Sequence, residues 1–127
     1  MGVFVFLPPF SMNSLVKTVT WILGIVLLLV GVIGFFNNPV LGIFDADAIH
    51  SSIHVLSGLV GIAAAASGNK MSRMFLIVFG LVYALVAVLG FVNNGSILGI
   101  FATNRADDYL HSAIAIVCLA VGFGSKK

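Results

Sequence analysis

Four long apolar stretches divide the chain, at about 15–36, 49–66, 71–92 and 109–124, and most of the charged residues fall between or outside them. Runs of this length suit helices rather than strands. At 1.5 Å per residue, a helix of about 22 residues reaches about 33 Å, enough for a hydrocarbon core of about 30 Å. Inside a bilayer the backbone must satisfy its own polar groups, and helices do so internally. The pattern predicts an all-α integral membrane protein, a four-helix bundle. The second and fourth spans are shorter, so they are expected to tilt less or to rest their polar flanks in the interface.

The pattern also repeats. Residues 34–44 read GFFNNPVLGIF and residues 90–101 read GFVNNGSILGIF. With a shift of 56, Gly24 meets Gly80, Val26 meets Val82, Gly34-Phe35 meets Gly90-Phe91, and Asn37-Asn38 meets Asn93-Asn94. One inserted residue near Ser96 makes the shift 57, and then LGIF meets LGIF and His54 meets His111. The expectation is one domain over 15–127 built from two helix–loop–helix repeats, 15–67 and 71–124. Each repeat has two spans, so both insert the same way round, as parallel repeats about an axis along the membrane normal. Small residues at Gly24, Gly31, Ser57, Gly61, Ala65, Gly80, Ala84 and Ala87 suit close helix packing, where lipid offers no hydrophobic drive for association.

Composition agrees. The chain is 61% hydrophobic and 8% charged, against about 25% charged in a soluble domain. A net charge of +2 is too small and too scattered for a nucleic-acid partner. The lipid bilayer is the expected surrounding, with a second copy or another membrane protein as lateral neighbour. Lys17, Lys70, Arg73, Lys126 and Lys127 fall on one side of a four-span chain. Arg105 and all the acids, Asp45, Asp47, Asp107 and Asp108, fall on the other. The positive-inside rule then places both termini in the cytoplasm of a cell membrane and the two long loops outside. Trp21 and Tyr109 fall near opposite interfaces, where amphipathic rings are favoured. The opening MGVFVFLPPFS fits poorly with the rest, because Pro8-Pro9 stops a helix and no basic region precedes the apolar residues as in a signal peptide. Residues 1–14 read as a tail, and Met12 offers a more ordinary start that would leave 1–11 out of the native chain.

The loops carry the candidate chemistry. Asn37 and Asn93 suit left-handed caps that end helices one and three. Asp47 and Asn104 suit N-caps of helices two and four, accepting backbone N–H bonds. Gly42 and Gly99, in the two LGIF stretches, join them as structural positions, and LGIF itself is expected to fold onto the bundle's outer end or rest in the interface. Three residues beyond each N-cap, His50 aligns with Asp107. Four further on, His54 aligns with His111. A spacing of four keeps both members on one helix face. If those faces meet, His50, His54, Asp107 and His111 form a four-ligand set fit for zinc or another transition metal. A variant uses His54 and His111 as axial ligands to a haem. The structural alternative weighs more: Asp107 favours the helix dipole, and His54 and His111 each bond a loop carbonyl of their own repeat. Tyr83, deep in span three where span one has Leu27, is expected to bond a carbonyl or serine of a neighbouring helix. Cys118 has no partner for a disulfide and reads as a small packing residue.

The LGIF turns, Asn104, Asp107 and His111, with Asp47, His50 and His54 in the first half, resemble a bacterial family of small four-pass membrane proteins known as domain of unknown function 4383. That family shows a Leu-Gly-Leu-Phe-like turn, then Asn, then His or Asp with a further His four residues on. Asp47 in place of Asn, and Asp108 or Ser51 where Asn often follows, depart from its pattern. The resemblance implies a membrane bundle with no assigned activity. No phosphate loop, HExxH or GxSxG motif is present. The function expected is therefore a non-enzymatic structural or interaction component of the envelope, without a cofactor. A metal- or haem-binding protein stands second and a small transporter component third.

The orientation is checked by single cysteines in a Cys118→Ala background. Asn69→Cys is expected to react with an impermeant maleimide only from the cytoplasmic side, and Ser96→Cys only from outside.

Overall fold

The computed structural model describes residues 12–125. The tail expected over residues 1–11, and Lys126 and Lys127, lie outside the described residues. Helices α1 (Met12–Phe36), α2 (Ala48–Ser67), α3 (Asn69–Asn93) and α4 (Arg105–Gly124) follow in order, with strands β1 (Ser96–Ile97) and β2 (Phe101–Ala102) between α3 and α4. Helix α1 starts within the expected tail. Helix α4 starts four residues ahead of its apolar run, because the start is set by its cap rather than by hydropathy. All four are long and apolar enough to cross a membrane, and less than half of each span is buried in the bundle. Ile22, Leu29, Leu56, Leu85, Val88 and Ile116 face outward. Such continuous apolar surface suits lipid, not water, as in a multi-pass membrane protein.

Packing is tightest within each half, α1 on α2 and α3 on α4. The α1–α2 contact is a backbone-on-backbone approach. A Cβ on Gly58 would lie 2.5 Å from the Leu28 amide nitrogen and 2.7 Å from the Gly24 carbonyl oxygen. Gly61 would likewise meet Phe75 of α3 and Gly24 of α1. In the other half, Gly80 faces Leu119 and Cys118, and Gly122 faces Ile77. With few bulky residues inside, dispersion between closely spaced backbones replaces side-chain burial as the source of cohesion. Two buried clusters fill the axis. Val16, Ala64, Phe75, Leu76 and Cys118 form one, and Leu27, Tyr83 and Ala115 the other. The Arg73 Nε–H donates to the Ser125 carbonyl at 3.2 Å, which puts the start of α3 and the end of α4 at one end of the bundle. The two interhelical loops of the halves share the other end.

Those loops have matching backbones. Leu41 and Gly42 have φ of 55° and 72°, Leu98 and Gly99 of 53° and 70°. The Ile43 N–H donates to the Val40 carbonyl at 3.0 Å, and the Ile100 N–H to the Ile97 carbonyl at 2.8 Å. Two left-handed residues closed by such a bond are the mark of a type I′ turn. The glycines adopt the left-handed region freely, whereas each leucine is strained there. Val40 and Ile97 are buried, while Leu41 and Leu98 point outward. The expected asparagine caps require correction. Asn93 is the last residue of α3, and the left-handed residue is Asn94, with φ of 47° and its N–H on the Gly90 carbonyl. Asn37 has no positive φ and donates its N–H to Ile33 at 2.8 Å. In the first half the neighbouring Asn38 acts instead, its Oδ1 accepting from the Ala46 N–H at 2.8 Å.

Because a methyl at residue 58 strikes backbone atoms that cannot rotate away, Gly58→Ala is expected to cost about 2–3 kcal/mol. Ala66→Val, on an exposed face, is expected to stay within about 0.5 kcal/mol. Denaturant unfolding in detergent, followed by circular dichroism, compares the two.

Candidate metal centre

The site grows out of the two helix caps. Asp47 caps α2: one carboxylate oxygen accepts from the His50 N–H at 2.9 Å. Asn104 caps α4 in a capping box, with its side chain accepting from the Asp107 N–H and Asp107 accepting from the Asn104 N–H, both at 2.9 Å. Each cap also reaches across to the other half. The second Asp47 oxygen accepts from the Ala102 N–H at 2.9 Å, and the Asn104 amide donates to the Ile43 carbonyl at 2.7 Å. Each loop is thus held by the helix start of the opposite half, so the register between halves fixes where the imidazoles stand.

His50 is the third residue of α2, and His54 and His111 are the seventh of α2 and α4. At 1.5 Å per residue, the seventh position lies about 9 Å along the helix from its first residue, just inside the loop end. All three are buried. The His50 ring centroid lies 4.3 Å from that of His54 and 5.5 Å from that of His111, and the last two are 6.3 Å apart. Phe101 of β2 covers His50 at 4.8 Å. One ring nitrogen from each of the three lies within 4.8 Å of the others. Nitrogens at the corners of a triangle with edges of 4.8 Å would sit about 2.8 Å from its centre, against Zn–N bonds of about 2.0–2.1 Å. Rotamer adjustment of less than 1 Å per ligand would close about that gap.

His50 Nδ1 lies 3.1 Å from the Ala102 carbonyl oxygen. That oxygen can only accept, so Nδ1 carries the proton and Nε2 is left with its lone pair outward. A backbone carbonyl orienting an imidazole in this way is the usual support of a metal-ligating histidine. Among the described residues, His54 Nδ1 and His111 Nδ1 are buried without a hydrogen-bond partner. The expected bonds from His54 and His111 to loop carbonyls of their own halves are therefore not made. The single loop bond comes from His50 and crosses to the other half.

Asp107 stands apart from the trio. It is outside the group of mutually close ligand atoms, and its Oδ2 is engaged by its own helix cap. Its neighbour Asp108 pairs with Arg105 at 3.1 Å, and Arg105 also bonds Asn94 and lies over Phe91. Tyr83 joins the cluster instead, its ring 5.4 Å from His111. Its hydroxyl is buried without a partner among the described residues, contrary to the expected carbonyl or serine. Tyr83 and the three histidines share a cavity of about 40 Å³, which has no room for a haem. On their other side His54 and His111 border a lipid-facing apolar groove of about 380 Å³ between α1 and α4. The one sequence signal for Tyr83 was a lone hydroxyl in mid-span, which says nothing about which helix face it takes.

Residues 17–124 match the family described as a domain of unknown function, DUF4383. The chain belongs to that family. The match spans all four helices and both loops, and of the positions behind the resemblance His50, His54 and His111 lie in the cluster while Asp107 does not. No curated protein and no solved structure matches the chain.

Asp47→Ala removes a helix cap and leaves the Ala102 N–H without its acceptor, and is expected to destabilise by about 2–4 kcal/mol. Hydrogen exchange would show lost protection at residues 101–103, in the opposite half from the substitution, with the middle of α1 unaffected.

Proposed function

We propose that this is a metal-binding membrane protein, non-enzymatic in role, that holds one divalent transition ion, zinc in the first instance, on His50, His54 and His111. The observation that carries the proposal is the pair of buried, partnerless nitrogens on His54 and His111 beside an imidazole already oriented by a carbonyl. Each buried polar group left unsatisfied costs about 1–3 kcal/mol, and a shared ion would satisfy both at once. Imidazole suits zinc, copper, iron and nickel, and the absence of thiolate from the trio disfavours a closed cysteine-type site.

Charge supports the same reading. All four acids of the chain, Asp45, Asp47, Asp107 and Asp108, belong to the loop end, with Arg105 as the one cation there. Three neutral imidazoles leave the ion's charge uncompensated in a low-dielectric setting, and this formally anionic surround offsets it. The distribution of Lys and Arg orients the loop end outward from the cytoplasmic membrane. The centre would then take its ion from the outer side, with lipid and other membrane proteins as its lateral neighbours.

Protein purified in detergent, incubated with zinc and freed of excess ion, is expected to carry about one zinc per chain by elemental analysis. The double substitution His54→Ala, His111→Ala is expected to carry less than about a tenth of that. Asp107→Asn, which retains an acceptor for the cap, is expected to keep the full complement. Protein that retains no zinc rules the centre out.

A further inference from the structure

We propose that the fourth position on the ion is open and is filled by a water or hydroxide oxygen that bonds the Tyr83 hydroxyl. This rests on the metal reading of the same cluster and specifies what the three histidines leave unfilled. Three imidazoles satisfy three of the four corners of a tetrahedral ion, and three protein ligands with one exchangeable position is the open arrangement.

Three observations locate the fourth corner. The trio and Tyr83 line one cavity, whose remaining walls are apolar, Ile53, Val82, Val86 and Phe101 among them, apart from Ser57. Its volume of about 40 Å³ is more than the roughly 10–15 Å³ that one water needs. The Tyr83 hydroxyl is nine-tenths buried and has no partner among the described residues, so it has both a donor and an acceptor to give to whatever sits there. A water confined in a largely apolar cavity needs at least two polar partners. The ion supplies one and the tyrosine hydroxyl the other. Asp107, engaged in its cap, does not compete for the corner. The ligand class is therefore a small oxygen or anionic donor.

Copper(II) in place of zinc makes the corner visible. The experiment first measures copper per chain, and no bound copper would fell the metal centre and this proposal together. With copper bound, pulsed electron paramagnetic resonance in heavy water is expected to show exchangeable deuterons on the ion. Added azide is expected to produce a charge-transfer band. Tyr83→Phe, which keeps the ring, is expected to retain copper while weakening azide about tenfold, as for loss of a hydrogen bond to a charged group. Bound copper without exchangeable deuterons in the wild-type protein would overturn the open corner while leaving the metal centre standing. Should the copper-loaded Tyr83→Phe protein bind azide as well as wild type, the tyrosine's part is refuted. The wild-type deuteron measurement decides the matter even if that variant fails to fold.

Discussion

The need to satisfy backbone polar groups at helix ends near the hydrocarbon edge governs this bundle. Water is scarce there and an orphaned N–H is costly. Asp47 meets the need for two donors at once, one in its own helix and one in the opposite loop. Asn104 accepts from its own helix and donates to a carbonyl of the other loop. These reciprocal bonds do what a long connecting segment or a disulfide would do in a soluble domain, fixing the two halves against each other. His50 depends on them directly, because the carbonyl that sets its tautomer belongs to the very residue whose N–H Asp47 holds.

The same economy appears in the packing. Glycines bring α1 and α2 into backbone contact, so the core needs little volume, and lipid covers the outward apolar faces. One apolar cluster, around Phe75 and Leu76, has no member in the polar cavity, and the second, Leu27, Tyr83 and Ala115, adjoins the imidazoles through Tyr83. At the loop end three imidazoles and a phenol take the place where a third apolar cluster would fit. A bundle held together by close backbones and capped loops tolerates that substitution, because its cohesion does not come from that layer.

Span positions, the N-caps Asp47 and Asn104, and the convergence of His50, His54 and His111 were legible in the sequence. They follow from local signals: apolar run length, cap residues ahead of a helix, and a spacing of four on one face. The use made of each side chain was not legible. Asp107 aligned with His50 and so appeared to be its partner, but a carboxylate at the third helical position has a donor at hand in the cap N–H. The crossing of each loop bond to the other half depends on how the hairpins meet, which no local pattern encodes. The left-handed cap falls on Asn94 rather than Asn93 because α3 runs until Gly95 frees the chain, one residue beyond where matching to the Pro39-limited loop would end it.

The polar cluster is less symmetric than the scaffold that carries it. The two tight turns and the N-caps Asp47 and Asn104 correspond between the halves, yet the close-packed Gly58, Gly61 and Gly122 stand against Ala115, Cys118 and Ala65, the pairs His50 with Asp107 and Leu27 with Tyr83 differ, and only one member of each faces the cavity as a polar group. Asp107 serves the cap, and Leu27 packs in the apolar cluster beside Tyr83. Loop pinning alone needs one imidazole, which His50 provides, and packing alone would be met by leucine at residues 54, 83 and 111 without any desolvation cost. Three further buried polar atoms, at His54, His111 and Tyr83, together cost roughly 3–9 kcal/mol if left bare, on the scale of a whole domain's stability. A ligand that bonds all three, as proposed above, would offset a cost of that size.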